Sequence, residues 1–446
     1  MPSLLWFRRD LRTGDNPALI AAAAEGADVA PLFVLDPKLH REGAARTDRL
    51  LASLQALDHD LGGRLIVRHG DPENVVPRVA KEIEAGAVHV SAETTPYGRR
   101  RDASVDEALG DDVPLIATGS PYAVTPGRVL KDDGTPYRVF TPFSRAWKGH
   151  GWREPAEKPK GVSWIDGLED DGLPSSWADR GAAGEKAALK RWRAFLDDGL
   201  ATYDDDRDRP DLDRTSRMSV ALKYGEIHPR TLLAEVAAHE DSATKGAERF
   251  IAEICWREFY ADVLWHEPKA LWCDLRKDLA SLSYDDPDPD TFDAWKEGRT
   301  GFPFVDAGMR QLREEGWMHN RVRMVTASFL TKDLHVWWPH GARHFLDLLI
   351  DGDMASNNHG WQWVAGTGTD AAPYFRVFNP VTQGLKFDPD GDYVRRWIPE
   401  LRHLDGKAAH EPWKHDGGYD HGYPRPIVDH GEARAEALAR YEQARA

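Results

Sequence analysis

Short apolar runs at 4–7, 29–35, 64–68, 87–91 and 114–117 alternate with helical patterns through residues 1–122. This alternation narrows the fold more than any other feature of the chain. Strand–helix alternation implies a parallel sheet with helices on both faces, since each crossover must bring the chain back to the same end of the sheet. One helix is predicted to begin at Asp15-Asn16-Pro17, where an amide cap precedes a proline in the first turn. Others are predicted over 47–61, 73–85 and 102–109. The expectation is an α/β, Rossmann-like domain with a five-stranded parallel sheet. The segment after the first run is Arg8-Arg9-Asp10-Leu11-Arg12, so the glycine fingerprint of dinucleotide binding is missing.

Residues 119–184 are rich in Pro, Gly, Asp and Trp, lack clear periodicity, and read as a long connection. From 185 onward helical patterns dominate, with turn signals at Gly225, Pro229, Gly308 and Gly316. The expected division is an α/β domain over 1–122, a linker over 123–188 and an all-α domain over 189–446. A length of 446 residues suits more than one domain. The chain is 41% apolar and 30% charged, which suits a folded protein. Charge arrives too early after Met1 for a secretory signal, and no run reaches the ~18 apolar residues of a membrane span. Cys255 and Cys273 alone cannot build a disulfide framework, so a reducing cytoplasm is expected. His340 and His344 have Gly341 where a metalloprotease needs Glu, and no metal site is expected. The formal net charge of −16 argues against a bulk electrostatic nucleic-acid binder. Any such contact must use a local basic face.

Tryptophan is abundant: 17 occur, 11 of them between Trp256 and Trp413. On a helix, Glu253, Trp256, Arg257 and Tyr260 share one face while Ile251, Cys255 and Phe259 mark an apolar stripe. The first face could stack on and hydrogen-bond a base, or form an ordinary salt-bridged helix side. Asn320 and Met324 share a face, beside a buried stripe of Val322, Val325 and Phe329, and Arg321 and Arg323 could meet phosphate or carboxylate. The segment 351–363 packs two acids, three amides and two indoles together. Such density is hard to bury without partners and favours a site over core. Trp361 and Trp363 should serve different neighbours. Thr215-Ser216-Arg217-Met218-Ser219 leads into a helical run, and hydroxyls at a helix start bind phosphate or simply cap.

Taken in order, these segments resemble the photolyase/cryptochrome family over nearly the whole chain. Within it they resemble bacterial class I-type cyclobutane pyrimidine dimer photolyases. The resemblance is carried by 6–12 with Asp15-Asn16, by 215–219, 255–260, 301–310 and 317–324, and by 357–378 through Thr367-Gly368-Thr369-Asp370. It implies a helical domain holding FAD and light-dependent repair of pyrimidine dimers. An electron passes from excited reduced FAD to a flipped-out dimer. It further implies that Tyr203, Thr215, Ser216, Arg217, Met218 and Ser219 hold the FAD phosphates and nearby groups. Asp351 pairs with Arg323 beneath the flavin, with Asp353 at its edge and Asn357 facing N5. Phe250, Glu253 and Arg257 also belong to the cofactor set. Glu253, Trp256, Asn320, Met324 and Trp363 line the dimer pocket, with Glu253 donating a hydrogen bond to the dimer. Arg207, Trp256, Arg257, Asn320, Arg321, Arg376 and Gln383 match DNA-contacting positions. Trp361, Trp338 and Trp295 match a relay that reduces the flavin from the surface.

Asn320 and Met324 stand where the related (6-4) enzymes place His. Asn357 stands where plant-type cryptochromes carry Asp, Trp256 keeps the indole they lose, and no long signalling tail follows Ala446. These features favour dimer repair over a cryptochrome-like light sensor acting through partner proteins. Arg214, Val220 and Phe250 depart from the family pattern near the phosphate and flavin contacts. The antenna chromophore implied by Pro96–Asp102 is an 8-hydroxy-5-deazaflavin, or else a folate, another flavin or none, with Glu93 as its candidate contact. The expected partner is DNA containing pyrimidine dimers, with no membrane. The expected state is a cytoplasmic monomer, nucleoid-associated when bound to DNA.

Overall fold

The computed structural model describes residues 1–174, 177–370 and 376–445. By its contacts the chain divides into two compact units. One comprises Met1–Ala201 and Ser216–Pro268, the other Thr202–Thr215 and Lys269–Ala446.

The first unit carries a five-stranded parallel sheet. Its strands are β1 (Ser3–Phe7), β2 (Val29–Leu35), β3 (Ile66–His69), β4 (Ala87–Val90) and β5 (Leu115–Ala117), in the order β3-β2-β1-β4-β5. The strand periodicity of two sorts its side chains onto opposite faces. Leu5, Phe7, Phe33, Leu35 and Val67 pack with α1 (Pro17–Ala22) and α2 (Ala45–Asp60). Leu4, Trp6, Leu32, Val34, Ile66, Val88 and Val90 pack with α3 (Pro72–Glu82) and α4 (Pro96–Leu109). Asn16 caps α1, accepting from the Leu19 amide, with Pro17 in the first turn as its sequence implied.

The stretch 119–184 departs from expectation because it contains a helix, Phe140–His150, with Phe143 and Trp147 buried. The apolar spacing that builds it is short and flanked by Pro and Gly, which hides it among turn residues. Downstream, Gly225 sits at φ +68° as a helix terminator, and a side chain there would collide with the Arg9 carbonyl. Only glycine lets that turn meet the segment after β1. The remainder of this unit is helical, its longest element being Lys245–His266.

The second unit is helical throughout its described elements. Its core joins Trp295, Phe304, Met309, Val322, Phe329, Trp338, Phe345, Trp361 and Tyr393. The helix Asn320–Ser328 packs against Met354–Ala365, which in turn packs against Trp338–Leu348. A π-helical segment, Phe329–Asp333, continues the helix Asn320–Ser328. Among the described residues no helix is long and apolar enough to cross a membrane.

Candidate active site

In the first unit, the helix Lys245–His266 presents Glu253, Trp256, Arg257 and Tyr260 on a half-buried face and Ile254, Cys255, Glu258 and Phe259 on a buried one. Trp256 stacks flat on Phe140, with ring centroids 3.7 Å apart and planes at 5°. One face of its indole is therefore covered, and Phe259 and Tyr260 pack beside it. Arg257 is held by the carbonyls of Pro121 (2.9 Å) and Leu222 (3.5 Å) and lies over the Tyr122 ring. Phe250 packs in an aromatic cluster with Trp192 and Phe195. Its ring is buried.

The buried face holds a group the sequence reading passed over. Glu258 accepts hydrogen bonds from the Ala123 amide, the Val124 amide (3.0 Å) and the Trp147 indole (2.6 Å). Burial pushes its carboxyl up to about 7, against the lowering effect of those three donors and of Arg257. Its signal was a carboxylate in the apolar stripe of a helix, i+3 from Cys255 and adjacent to Phe259.

Of the segment 215–219, Ser216 through Ser219 belong to this unit. The helix they lead into is only Met218–Tyr224, and its cap is Arg217 in the left-handed region rather than a hydroxyl. The Ser216 hydroxyl accepts from the Met218 amide at 3.3 Å, so it already serves the turn. Met218 is buried, Arg217 half-buried and Ser219 exposed.

At the carboxyl ends of β1 and β4, where the strand order reverses, Arg8 pairs with Asp102 at 2.8 Å. Arg8 and Arg101 both lie over the Trp6 ring. Glu93 sits among them, accepting from Thr95 at 3.2 Å. Burial pushes its carboxyl up, but Arg9, Arg101 and Arg8 outweigh burial and hold it below the usual range. Such switch points are where open α/β sheets take ligands.

In the second unit, Arg323 and Asp351 form the expected pair, with Arg323 Nη2 at 3.1 and 2.9 Å from the two carboxylate oxygens. Arg323 Nε also donates to the Met318 carbonyl at 2.7 Å. Asp353 caps the helix Met354–Ala365, accepting from Ser356 at 3.0 Å. One turn on, Asn357 donates to the Ala342 carbonyl (3.2 Å) and to Asn358 (2.9 Å). Arg323, Asp353 and Asn357 remain half-buried on two helices that pack together. Asn320 is exposed, its amide 3.9 Å from Met324 sulfur. Trp363 is half-buried, whereas Trp361 packs into the core against Phe345 and Trp295. Arg321 makes two hydrogen bonds to Asp208 (3.2 and 2.7 Å) and lies over Phe387. Arg207 is 3.9 Å from the same Asp208 and near the face of buried Tyr203. Thr215 and Gln383 are half-buried, and residues 371–375 of the motif stretch 357–378 lie outside the described residues.

All three relay tryptophans are buried. Trp295 is fully buried, donating to the Thr326 carbonyl at 3.1 Å. Trp338 is buried as well, but it stacks in parallel on half-buried Trp272 (6.4 Å, 6°) and donates to Asp274 at 2.7 Å. Sequence order alone could not tell an inner tryptophan from an outer one.

Two family models match this chain: DNA photolyase over residues 3–160, and the FAD binding domain of DNA photolyase over 250–443. The deoxyribodipyrimidine photo-lyase of Streptomyces griseus is 44% identical, with 99% of each chain covered. The chain belongs to the DNA photolyase family. It is a light-dependent lyase that uses FAD to reverse pyrimidine dimers in DNA. Among solved photolyases, the bacterial class III enzyme from Agrobacterium tumefaciens has the same fold, with a TM-score of 0.92 at 38% identity over 99% of this chain and 97% of that one. The archaeal photolyase from Sulfolobus tokodaii, solved with two FAD molecules, aligns with a TM-score of 0.84 at 30% identity, covering 99% and 100%.

Proposed function

We propose that the residues above divide the repair of cyclobutane pyrimidine dimers as follows. Arg323, Asp351, Asp353 and Asn357 hold the flavin edge. The observation that carries this reading is the set of half-buried groups on the paired helices Asn320–Ser328 and Met354–Ala365. A guanidinium, a carboxylate and an amide there complement the alternating acceptors and donors of a flavin, so the residues fit the group. Tyr203 and 215–219 take the remainder of the cofactor, with Ser219 and Arg217 the more accessible members of the latter. Bound, reduced FAD supplies a light-driven one-electron donation that is returned once the ring has opened.

The chain's own groups prepare the substrate for that donation. Trp256 and Trp363 offer indole faces to the flipped bases, each stack typically worth ~1–3 kcal/mol. Asn320 and Met324 contact the dimer's edges. Glu253 donates a hydrogen bond to a dimer carbonyl, where negative charge develops, and so favours the charged state over the neutral one. Arg207, Arg321, Arg376 and Gln383 meet the DNA backbone, with Arg257 acting through its carbonyl partners. The functional division follows 1–122, 123–188 and 189–446, and the enzyme works as a cytoplasmic monomer. An antenna chromophore binds beside Glu93; a deazaflavin suits the arginine-rich surroundings, and a second flavin is the alternative that the two-FAD archaeal relative supports.

The test is direct. Chemically reduced protein is mixed with an oligonucleotide carrying one thymine dimer and irradiated with blue light, and recovery of thymine absorbance is followed. Repair in the light and none in the dark is expected. Light-independent loss of the dimer, or none at all, refutes the assignment, and released cofactor lacking adenine refutes FAD.

A further inference from the structure

The helix Asn320–Ser328 does more than present Asn320, Arg321 and Met324. At its far end it runs into the π-helical segment Phe329–Asp333, and π-insertions concentrate where a side chain must be re-aimed for function. Ser328 and Lys332 are among the polar side chains of this stretch that are almost wholly buried. Both reach the same short segment. Lys332 Nζ donates to the Arg376 carbonyl, and Ser328 Oγ accepts from the Phe378 amide at 3.3 Å. Neighbouring Asp333 turns elsewhere, to His430 of the helix His430–Arg445.

A buried lysine carries a desolvation cost that apolar packing would avoid. Desolvation pulls its amine down to about 7, Asp333 offsetting part of that effect and the Arg376 guanidinium adding to it. An apolar residue of similar length would avoid the cost and leave the carbonyl without its donor. A donor that reaches across from a rigid helix does what apolar packing cannot: it fixes the height and direction of one peptide group.

We propose that Lys332, with Ser328, is a positioning residue for DNA binding, fixing the backbone at 376–378 so that the Arg376 side chain is held in register with Asn320, Arg321 and Met324 on the same helix. The inference rests on the reading of Arg376 as a phosphate contact. It adds that this contact is preset by the helix that also carries the dimer-facing groups.

The experiment uses full-length holoprotein. Lys332→Met, Arg376→Ala and the double variant are titrated with a single-stranded oligonucleotide carrying one thymine dimer, at several salt concentrations. FAD per chain and melting temperature are measured on the same preparations. Lys332→Met is expected to raise Kd about tenfold and to flatten the log Kd–log salt slope by up to ~1, as loss of one phosphate contact does. The double variant should bind no more weakly than Arg376→Ala, and FAD content should be unchanged. Ser328→Ala, a smaller change, should act in the same direction with a smaller effect, which keeps the test decisive should Lys332→Met fold poorly. An unchanged Kd and slope in Lys332→Met and Ser328→Ala, with Arg376→Ala weakened, overturns the anchor alone. An effect of Lys332→Met that adds in full to that of Arg376→Ala also overturns it. A silent Arg376→Ala overturns both the anchor and the phosphate contact it rests on.

Discussion

Replacing Glu258 by Gln tests whether burial or hydrogen bonding controls the carboxyl that ties the helix Lys245–His266 to the segment at 123–124. The carboxyl titrates near 7 in the fold against an ordinary value of 4.5. A raised folded value means that ionisation costs the fold free energy. The group's stabilisation is full below 4.5 and is lost as pH climbs through about 7. At ~1.36 kcal/mol per pH unit, that interval amounts to about 3 kcal/mol. The Gln variant does not titrate there, so it lacks the loss. It carries a fixed cost instead: Glu258 faces three N–H donors, and the amide must turn its own NH2 toward one of them, for ~1–3 kcal/mol. Wild type should therefore lead at pH 5, and the lead should shrink or reverse by pH 8. Melting temperatures of both proteins at pH 5, 6, 7 and 8 give the difference, in which titrations common to both cancel. A constant gap across the range refutes the reasoning, since it means that the three donors and Arg257 keep the carboxylate ionised throughout.

Trp361→Phe should slow photoreduction of the oxidised flavin at least tenfold while repair by chemically reduced enzyme persists; equal photoreduction would remove Trp361 from the relay. Trp363→Ala should raise Kd for dimer-containing DNA about 5- to 150-fold, the range that ~1–3 kcal/mol of stacking implies, and an unaltered Kd would take Trp363 out of the dimer pocket. Glu253→Ala should lower repair per absorbed photon several-fold with FAD content and Kd little changed, whereas loss confined to stability or affinity would mark Glu253 as structural.

The sheet was legible because each strand is short, apolar and bounded by helical patterns, and because the alternation of its side chains needs no distant partner to be read. The Arg323–Asp351 pair was legible only through family resemblance: 28 residues separate the two, and no local period links them. Three features escaped. The helix Phe140–His150 was masked by turn-forming neighbours. Glu258 reads as one more charged residue in a helix until the amides of Ala123 and Val124 are seen to converge on it. The inner place of Trp295 depends on tertiary packing against Phe345 and Trp361, which the spacing of tryptophans does not encode.

The net charge of −16 seemed at odds with a DNA partner, and local pairing shows how the two coexist. Arg321 is oriented by two hydrogen bonds to Asp208, with Arg207 close to the same carboxylate. A guanidinium held in this way loses less freedom when it meets a phosphate than one that swings free, because part of its ordering precedes binding. The carboxylate also weakens non-specific attraction to undamaged DNA, which depends on uncompensated positive charge. An acidic body with a few braced arginines therefore moves the balance of binding away from the phosphate backbone and toward contacts that only a flipped-out dimer can make. In the proposed site, stacking on Trp363 and a hydrogen bond from Glu253 would be contacts of that kind. On this account the acidic composition contributes to selectivity for damage, and the arginines are few because their task is register rather than bulk affinity.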